Sequence, residues 1–212
     1  MISKKNIVFD LGCILVGLDN DRCIDAFEQI GCGEIAHYVR EHKVEDLFMD
    51  VEVGRIDTAR FCDEVRRLCG CRVSDADIVW AWNALLTGIP DDKKAALLVL
   101  KHRGHRLFLL SNTNFMHWDK CAGSFFGYRD GDGREYGVAD YFDRVFLSCA
   151  MHLAKPHAEI YAAMLRQAGI SAADTLFVDD RADNCRGAES VGIATLHDPT
   201  GTAWVPTLVG EQ

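Results

Sequence analysis

Short apolar runs alternate with helical stretches through the second half of this 212-residue chain. Each run has the length of a buried strand, and the stretches between them have helical patterning that ends at a glycine. The runs that we predict as strands are residues 6–10, 107–110, 145–148, 175–178 and 193–197. This alternation predicts an α/β fold, with a Rossmann-like parallel sheet of about five strands and helices on both faces.

The stretch between the first two predicted strands, residues 17–88, has helical patterning and no convincing strand. Residues typical of helix starts and ends divide it: Asp57 and Ser74 as N-caps, Gly70 and Gly88 as C-terminal stops. A chain of this length suits one domain or a core that carries a smaller inserted one. We therefore predict an α/β core domain from residues 1–16 and 89–212 (the core) and a small helical cap domain from residues 17–88 (the insertion).

The charge and the hydropathy pattern exclude several classes of partner. The chain carries a net charge of −9 and has a pI near 5.3, which disfavours nucleic-acid binding through clustered Lys and Arg. It contains no apolar run near the roughly 20 residues that span a bilayer. The N-terminus leads directly into the first strand without the pattern of a signal peptide. We expect a soluble, cytoplasmic protein that binds neither nucleic acid nor membrane.

The cysteines form no recognisable metal or disulfide motif in the sequence. There are nine, an odd number, and none forms a Cys-x-x-Cys pair. Without an export signal, we interpret them as reduced thiols that pack as small hydrophobic side chains, and we assign them no function.

Polar side chains follow the predicted strands at the point where each strand ends. These residues are Asp10, Ser111 with Asn112, Lys155, and Asp179 with Asp180. Each of them alone is typical of a helix cap or a turn. Together they converge, because the carboxyl ends of parallel strands meet at one edge of the sheet, where ligands bind. Three carboxylates in a partly dry cleft need positive charge, and Lys155 with a hard divalent ion such as Mg²⁺ would supply it.

The same residues lie in four motifs that resemble those of the haloacid dehalogenase superfamily. The motifs are Phe9-Asp10-Leu11-Gly12, Leu110-Ser111-Asn112-Thr113-Asn114, Lys155-Pro156, and Phe177-Val178-Asp179-Asp180 with Asn184. The insertion takes the place of that family's helical cap. Within the superfamily the chain is most similar to sugar-phosphate phosphatases of the α-glucose-1-phosphate phosphatase type and to the phosphatase domain of soluble epoxide hydrolases.

The resemblance implies a role for each residue of these motifs. Asp10 would be the nucleophile that becomes an aspartyl-phosphate, and Lys155 would neutralise charge on the nucleophile and the phosphate. Ser111 and the Asn112 amide would bind the phosphoryl oxygens. The ligands of Mg²⁺ would be the Asp10 carboxylate, the backbone carbonyl of Gly12 and the Asp180 carboxylate, with Asp179 and Asn184 beside them as supporting partners.

One position departs from the family pattern. Phosphatases of this family usually carry a second Asp two residues after the nucleophile, as the general acid and base, and here that position is Gly12. General acid–base assistance is worth about 10²–10⁴-fold in rate. We therefore expect turnover to fall steeply as the pKa of the leaving group rises. If another residue supplies the proton, His37 and His42 of the insertion are the first candidates.

The leading hypothesis is a Mg²⁺-dependent phosphatase, a phosphoric monoester hydrolase acting on small phosphate esters such as sugar phosphates. Its partner would be a small phosphorylated metabolite. One alternative is a metal-independent 2-haloacid dehalogenase in which Asp10 attacks carbon, although the Asp179-Asp180 pair would repel a carboxylate substrate. The other alternative is a catalytically weak, phosphate-binding regulatory module, which the missing acid at Gly12 favours.

Overall fold

The structure is a computed structural model that describes residues 4–41 and 45–210. In chain order its elements are β1 (Asn6–Phe9), β2 (Gly17–Leu18), α1 (Asn20–Gln29), α2 (Gly33–Glu41), α3 (Glu45–Glu52), α4 (Thr58–Cys69), α5 (Asp75–Asn83), β3 (Leu86–Gly88), α6 (Asp91–His102), β4 (Arg106–Ser111), α7 (Phe115–Ser124), β5 (Tyr128–Arg129), β6 (Glu135–Tyr136), α8 (Val138–Tyr141), β7 (Arg144–Leu147), α9 (Ser148–Met151), α10 (Ala158–Ala168), β8 (Thr175–Asp179), α11 (Ala182–Glu189), β9 (Ala194–His197) and α12 (Trp204–Val209).

A five-stranded sheet with the order β7-β4-β1-β8-β9 forms the centre of the molecule. All of its pairs are parallel, and Val8 in the central strand lies opposite Phe108 on one side and Phe177 on the other. The inner residues of β1, β4, β7 and β8 are apolar, because helices cover both faces of the sheet. Ile7 and Phe9 belong to the hydrophobic cluster on one face, and Val8 to the cluster on the other. The predicted α/β class and all five predicted strands are confirmed.

The insertion folds around a second hydrophobic cluster, which contains Phe27, Phe61 and Trp82 and includes one core residue, Met116 of α7. Asp57 caps α4 by accepting a hydrogen bond from the Arg60 backbone N–H at 2.8 Å. Helix α4 ends at Gly70, whose φ of 60° lies in the left-handed region that glycine adopts without strain. Ser74 caps α5 in the same way as Asp57 caps α4. The helix boundaries predicted at these positions are confirmed.

The prediction for Gly88 is wrong, because it ends a strand and not a helix. Helix α5 ends at Asn83, and β3 then pairs antiparallel with β2. This two-stranded ribbon lies where the chain enters and leaves the insertion. Its strands are two and three residues long, so they carry no periodicity that a sequence pattern could reveal.

The core also contains elements that have no counterpart among the predicted ones, namely α7, β5, β6, α8, α9 and α12. Helix α7 is capped by Asn114, β5 and β6 form a short hairpin, and α12 buries Trp204 completely beneath the sheet edge. Within the described residues, no helix is long and apolar enough to cross a membrane.

Candidate active site

Asp10 lies directly after β1, at the carboxyl edge of the central strand. The backbone N–H of Leu11 donates to its Oδ1 at 2.7 Å, and the ammonium of Lys155 lies 2.8 Å from the same oxygen. Only 7% of the residue is exposed. The strand therefore places one carboxylate at the edge of the sheet, and the contacts with Leu11 and Lys155 fix the orientation of that carboxylate.

The loop after Asp10 is held by groups from distant parts of the core. The buried ammonium of Lys93 donates to the carbonyl of Ile14 at 2.6 Å, and the indole N–H of Trp204 donates to the same oxygen at 3.2 Å. Within the loop, the N–H of Ile14 donates to the carbonyl of Gly12 at 2.6 Å, and Cys13 adopts a φ of 59°. This tight turn directly follows Asp10, and Gly12 and Cys13 line the same cleft as Asp10.

Lys155 is the only cation within hydrogen-bonding distance of Asp10 among the described residues. Its Nζ also lies 2.7 Å from Oδ2 of Asp179, and the side chain is almost completely buried. The side-chain amide of Asn112 fixes its backbone, because Nδ2 donates to the Lys155 carbonyl and Oδ1 accepts from the Lys155 N–H, both at 2.9 Å. The loop that follows β7 is thereby tied to the end of β4.

Asp179 is fully buried, and both of its oxygens already have partners. The amide of Asn184 donates to Oδ1 and Oδ2 at 3.0 Å each, and the backbone N–H of Arg181 donates to Oδ1 at 2.8 Å. With Lys155 on Oδ2, the carboxylate has little capacity left for a metal. The arrangement suits a residue that holds Lys155 in place beside Asp10.

The carboxylate oxygens of Asp10, Asp179 and Asp180 lie within 4.8 Å of one another. Burial raises the pKa of Asp10 to about 6; Lys155 opposes that rise, and Asp179 adds to it. Burial and Asp179 raise the pKa of Asp180 as well. By charge alone, the one ammonium of Lys155 stands against the three carboxylates of this cluster. Carboxylate oxygens whose charge is not compensated suit a hard divalent cation. Asp10 and Asp180 are the two carboxylates of the cluster that still have oxygen lone pairs available to bind one.

The residues predicted to bind phosphate lie beside this charge cluster. A cleft of about 480 Å³ opens over Asp10 and is lined by Gly12, Asn112, Lys155 and Asp180. Ser111 is 2% exposed and lies next to the cleft rather than in its lining. Because the side-chain amide of Asn112 is engaged by Lys155, the backbone N–H is the Asn112 amide that we assign to phosphate.

Helix α3 of the insertion contributes two side chains that the sequence did not indicate. Met49 and Glu52 of α3 line the same cleft as Asp10. His37, which the sequence suggested as a proton source, is exposed on α2 and is not among the lining residues, and His42 lies outside the described residues. Burial raises the pKa of Glu52 to about 7. No local pattern links position 52 to position 10, since their proximity depends on how α3 packs onto the core.

The central strand of this parallel sheet ends in a carboxylate paired with a buried lysine, and further carboxylates follow the next strand. A charged cluster at the carboxyl edge of the strands is typical of the active site of an α/β enzyme. The sequence pattern of the haloacid dehalogenase-like hydrolases matches residues 74–192. The chain belongs to this family of hydrolases, as its motifs indicate.

One named relative and two solved structures are similar to this chain over almost its whole length. It is 28% identical over 94% of both chains to the D-ribitol-5-phosphate phosphatase of Bacteroides thetaiotaomicron. A HAD family enzyme of the same organism, crystallised with magnesium and inorganic phosphate, is 38% identical with a TM-score of 0.87, over 95% of this chain and 97% of the other. A predicted HAD-like hydrolase of Porphyromonas gingivalis is 32% identical with a TM-score of 0.84 over the whole of both chains.

Proposed function

We propose that this chain is a Mg²⁺-dependent phosphatase that hydrolyses small phosphorylated metabolites of the sugar-phosphate kind through an aspartyl-phosphate on Asp10. The observation that carries the proposal is the buried Asp10 carboxylate, with Lys155 at 2.8 Å and Asp180 beside it. The similarity to a ribitol-phosphate phosphatase and to an enzyme that binds magnesium and phosphate supports the substrate class and the metal.

In the first chemical step, an oxygen of Asp10 attacks phosphorus and the bond to the leaving oxygen breaks. A carboxylate is a weak nucleophile towards a phosphate dianion because like charges repel. Lys155 lowers this repulsion from its position on Oδ1 of Asp10. In the second step, water attacks phosphorus, the bond to Asp10 breaks, and inorganic phosphate leaves. Two easier steps replace one difficult step.

The cation would be held by the Asp10 carboxylate, the Gly12 carbonyl and the Asp180 carboxylate. Bound there, Mg²⁺ supplies positive charge for the attacking carboxylate and the phosphoryl oxygens. Asp179 and Asn184 would position Lys155 and would not contact the substrate. Asn184 donates to the Asp179 carboxylate, and that carboxylate pairs with Lys155. Ser111 and the backbone N–H of Asn112 would bind the phosphoryl oxygens.

The insertion would act as a cap domain over the core. It folds around the second hydrophobic cluster, and its helix α3 forms one wall of the cleft over Asp10. A cap in this position would exclude water from the cleft and contact the part of the substrate that differs between metabolites. The division into a core of residues 1–16 and 89–212 and a cap of residues 17–88 is part of this proposal.

An assay with p-nitrophenyl phosphate and with 2-chloropropionate, each with and without Mg²⁺, tests the proposal against its alternatives. We expect phosphate release only with Mg²⁺ and no halide release. Metal-independent halide release would favour the dehalogenase. Stabilisation by inorganic phosphate without any turnover would favour the regulatory module. Asp10→Asn, an isosteric change, is the matched control and should be inactive in every arm.

A further inference from the structure

Gly12 leaves the proposed reaction without the acid that protonates the leaving oxygen. The cleft over Asp10 contains one carboxyl group from outside the core, that of Glu52 at the end of α3. It lines the cleft together with Lys155 and Asp180. A phosphate ester seated on Asp10 would extend its leaving group towards the wall that α3 forms.

The backbone around Glu52 is held by contacts with the core as well as by the packing of α3 within the insertion. The hydroxyl of Ser148 donates to the Glu52 carbonyl, and Nδ1 of His152 lies 3.0 Å from the Val53 carbonyl. Gly54 has a φ of 68°, and a Cβ at that position would lie 2.2 Å from the Cys149 carbonyl. Three successive residues thus pack directly onto α9 and the turn after it. The core thus fixes the backbone of Glu52 next to the cleft over Asp10.

The surroundings of Glu52 suit a group that gives and takes a proton. No hydrogen bond within the described residues acts on its carboxyl group, so it is not committed to a structural partner. Burial is the main cause of its raised pKa of about 7, and Asp10 adds to the rise. Lys155 and Arg181 oppose it. Both protonation states are therefore populated near neutral pH, which is the condition for general acid–base catalysis.

We propose that Glu52 is the general acid and base of this enzyme, in place of the acid missing at Gly12; the proposal rests on the phosphatase function above. When Asp10 attacks phosphorus, the Glu52 carboxyl gives its proton to the leaving oxygen, which departs as an alcohol. The Glu52 carboxylate then takes a proton from the water that attacks the aspartyl-phosphate. Asp10, inorganic phosphate and protonated Glu52 are restored at the end of the cycle.

Glu52→Gln tests this role through its dependence on the leaving group. For a simple alkyl phosphate, kcat/KM should fall by about 10²–10⁴-fold, whereas for p-nitrophenyl phosphate it should change little. The second step needs the base for every substrate. The variant should therefore release a burst of nitrophenol close to one equivalent per enzyme, followed by slow turnover, while the wild type shows a shallow dependence on leaving-group pKa.

Met49→Leu is the matched control, because it changes another side chain of α3 in the same cleft without removing a proton donor. It should affect both substrates by a similar factor and give no burst. Thermal melts followed by circular dichroism confirm that both variants are folded. A Glu52→Gln enzyme with the wild-type leaving-group dependence and no burst would overturn this role. Failure of the wild type to release phosphate with Mg²⁺ would instead overturn the proposed function.

Three cysteines of the insertion form a cluster that shares no residue with the active site. The sulfur atoms of Cys32, Cys69 and Cys71 lie within 4.8 Å of one another, and those of Cys32 and Cys71 are 3.4 Å apart. Gly70, in the left-handed conformation, turns the chain between two of them. Burial raises the pKa of the Cys69 thiol, and hydrogen bonds from the backbone of Ile35 and Glu34 oppose that rise. Packing of α2 against the end of α4 creates the cluster.

We infer that this thiol cluster binds one thiophilic metal ion, such as Zn²⁺ or Cu⁺. Three sulfur atoms at this spacing need only small shifts to reach metal–sulfur bonds of about 2.3 Å. Thiolates select soft ions over Mg²⁺, so this site would not compete with the one at Asp10. Because the ion would join α2 to α4, it would stabilise the insertion.

Titration of the reduced protein with Cd²⁺ and Zn²⁺, followed by thiolate charge-transfer absorbance and native mass spectrometry, tests the site. We expect one equivalent of ion and a higher Tm. Cys69→Ser should abolish both, whereas Cys62→Ser, a buried cysteine of the same hydrophobic cluster outside the trio, should abolish neither. No binding, binding unchanged in Cys69→Ser, or a Cys32–Cys71 disulfide in place of metal binding would overturn this inference.

Discussion

The sheet edge and the insertion contribute to the same cleft in different ways. At the sheet edge, Asp10, Lys155 and Asp179 form a network of hydrogen bonds and ion pairs at 2.7–3.0 Å. The insertion contributes Glu52 with no such network around its carboxyl group. The core holds charged groups in place, whereas the insertion adds a carboxyl group that no ion pair or hydrogen bond within the described residues constrains.

Asp10→Asn should have the largest effect on activity. The neutral amide cannot attack phosphorus, so turnover should fall by about 10⁴-fold or more, and beryllium trifluoride, a phosphoryl mimic on carboxylates, should bind only the wild type. The metal-free variant should melt no lower than the wild type, because burial makes the charged carboxylate unfavourable. Activity above a few per cent of the wild type would remove Asp10 from the role of nucleophile.

Asp180→Ala should separate metal binding from the rest of the network. Its carboxylate lies at the cluster but does not join the ion pairs of Lys155. The Mg²⁺ concentration for half-maximal activity should rise by about 10–100-fold or more, with little change in Tm. Full activity of the wild type after exhaustive chelation would contradict both the metal site and the phosphatase function.

Asp179→Asn should show that the sheet edge is a structural network. The change removes a fully buried charge that pairs with Lys155 and accepts from Asn184. Because Asp10 remains as a partner of Lys155, we expect a loss of about 3 kcal/mol, at the lower end for broken buried ion pairs. That corresponds to a Tm lower by about 6–12 °C. An unchanged Tm would mean that the network contributes nothing to stability.

Glu52→Gln should have a pH-dependent effect on stability that the sheet edge does not share. Its pKa is about 7 in the folded protein against 4.5 for the free side chain, so the unfolded state ionises first as the pH rises. The wild type therefore loses stability between about pH 4.5 and 7, and glutamine does not. Without metal, the variant should melt at the wild-type temperature near pH 4.5 and a few degrees higher at pH 8. An equal difference at both pH values would contradict the raised pKa.

Gly12→Asp should have the smallest effect on stability. The φ of Gly12 is not in the left-handed region, and a Cβ would meet only the flexible end of Leu18, at 3.2 Å. We expect a change in unfolding free energy below about 1 kcal/mol. In the Glu52→Gln background, the new acid should restore part of the turnover of alkyl phosphates. A double variant no better than Glu52→Gln would show that position 12 cannot deliver a proton in this structure.

The sequence predicts the sheet edge well because the edge follows from local patterns. Each buried strand is marked by its apolar run, and parallel strands bring the residues that follow them to one place. Asp10 and Lys155 are 145 positions apart, yet both are found in this way. Their roles as nucleophile and charge-neutralising cation stay predictions until the variants are measured.

The insertion is predicted only as a set of helices. Its caps at Asp57 and Ser74 are local signals, so the boundaries of α4 and α5 could be predicted. The position of Glu52 depends on the packing of α3 against α9, and the thiol cluster depends on the packing of α2 against α4. Such contacts between helices leave no periodic pattern in the sequence, and neither does the short ribbon of β2 and β3.

The residue that carries the phosphoryl group during turnover identifies the nucleophile. The enzyme is mixed with p-nitrophenyl phosphate and Mg²⁺, quenched in acid during steady turnover, digested, and analysed by mass spectrometry. We predict a phosphoryl group on Asp10, present in the wild type, more abundant in Glu52→Gln, and absent from Asp10→Asn or after chelation. Turnover without any phosphorylated peptide, or with the phosphoryl group on another residue, would contradict the claim that Asp10 is the nucleophile.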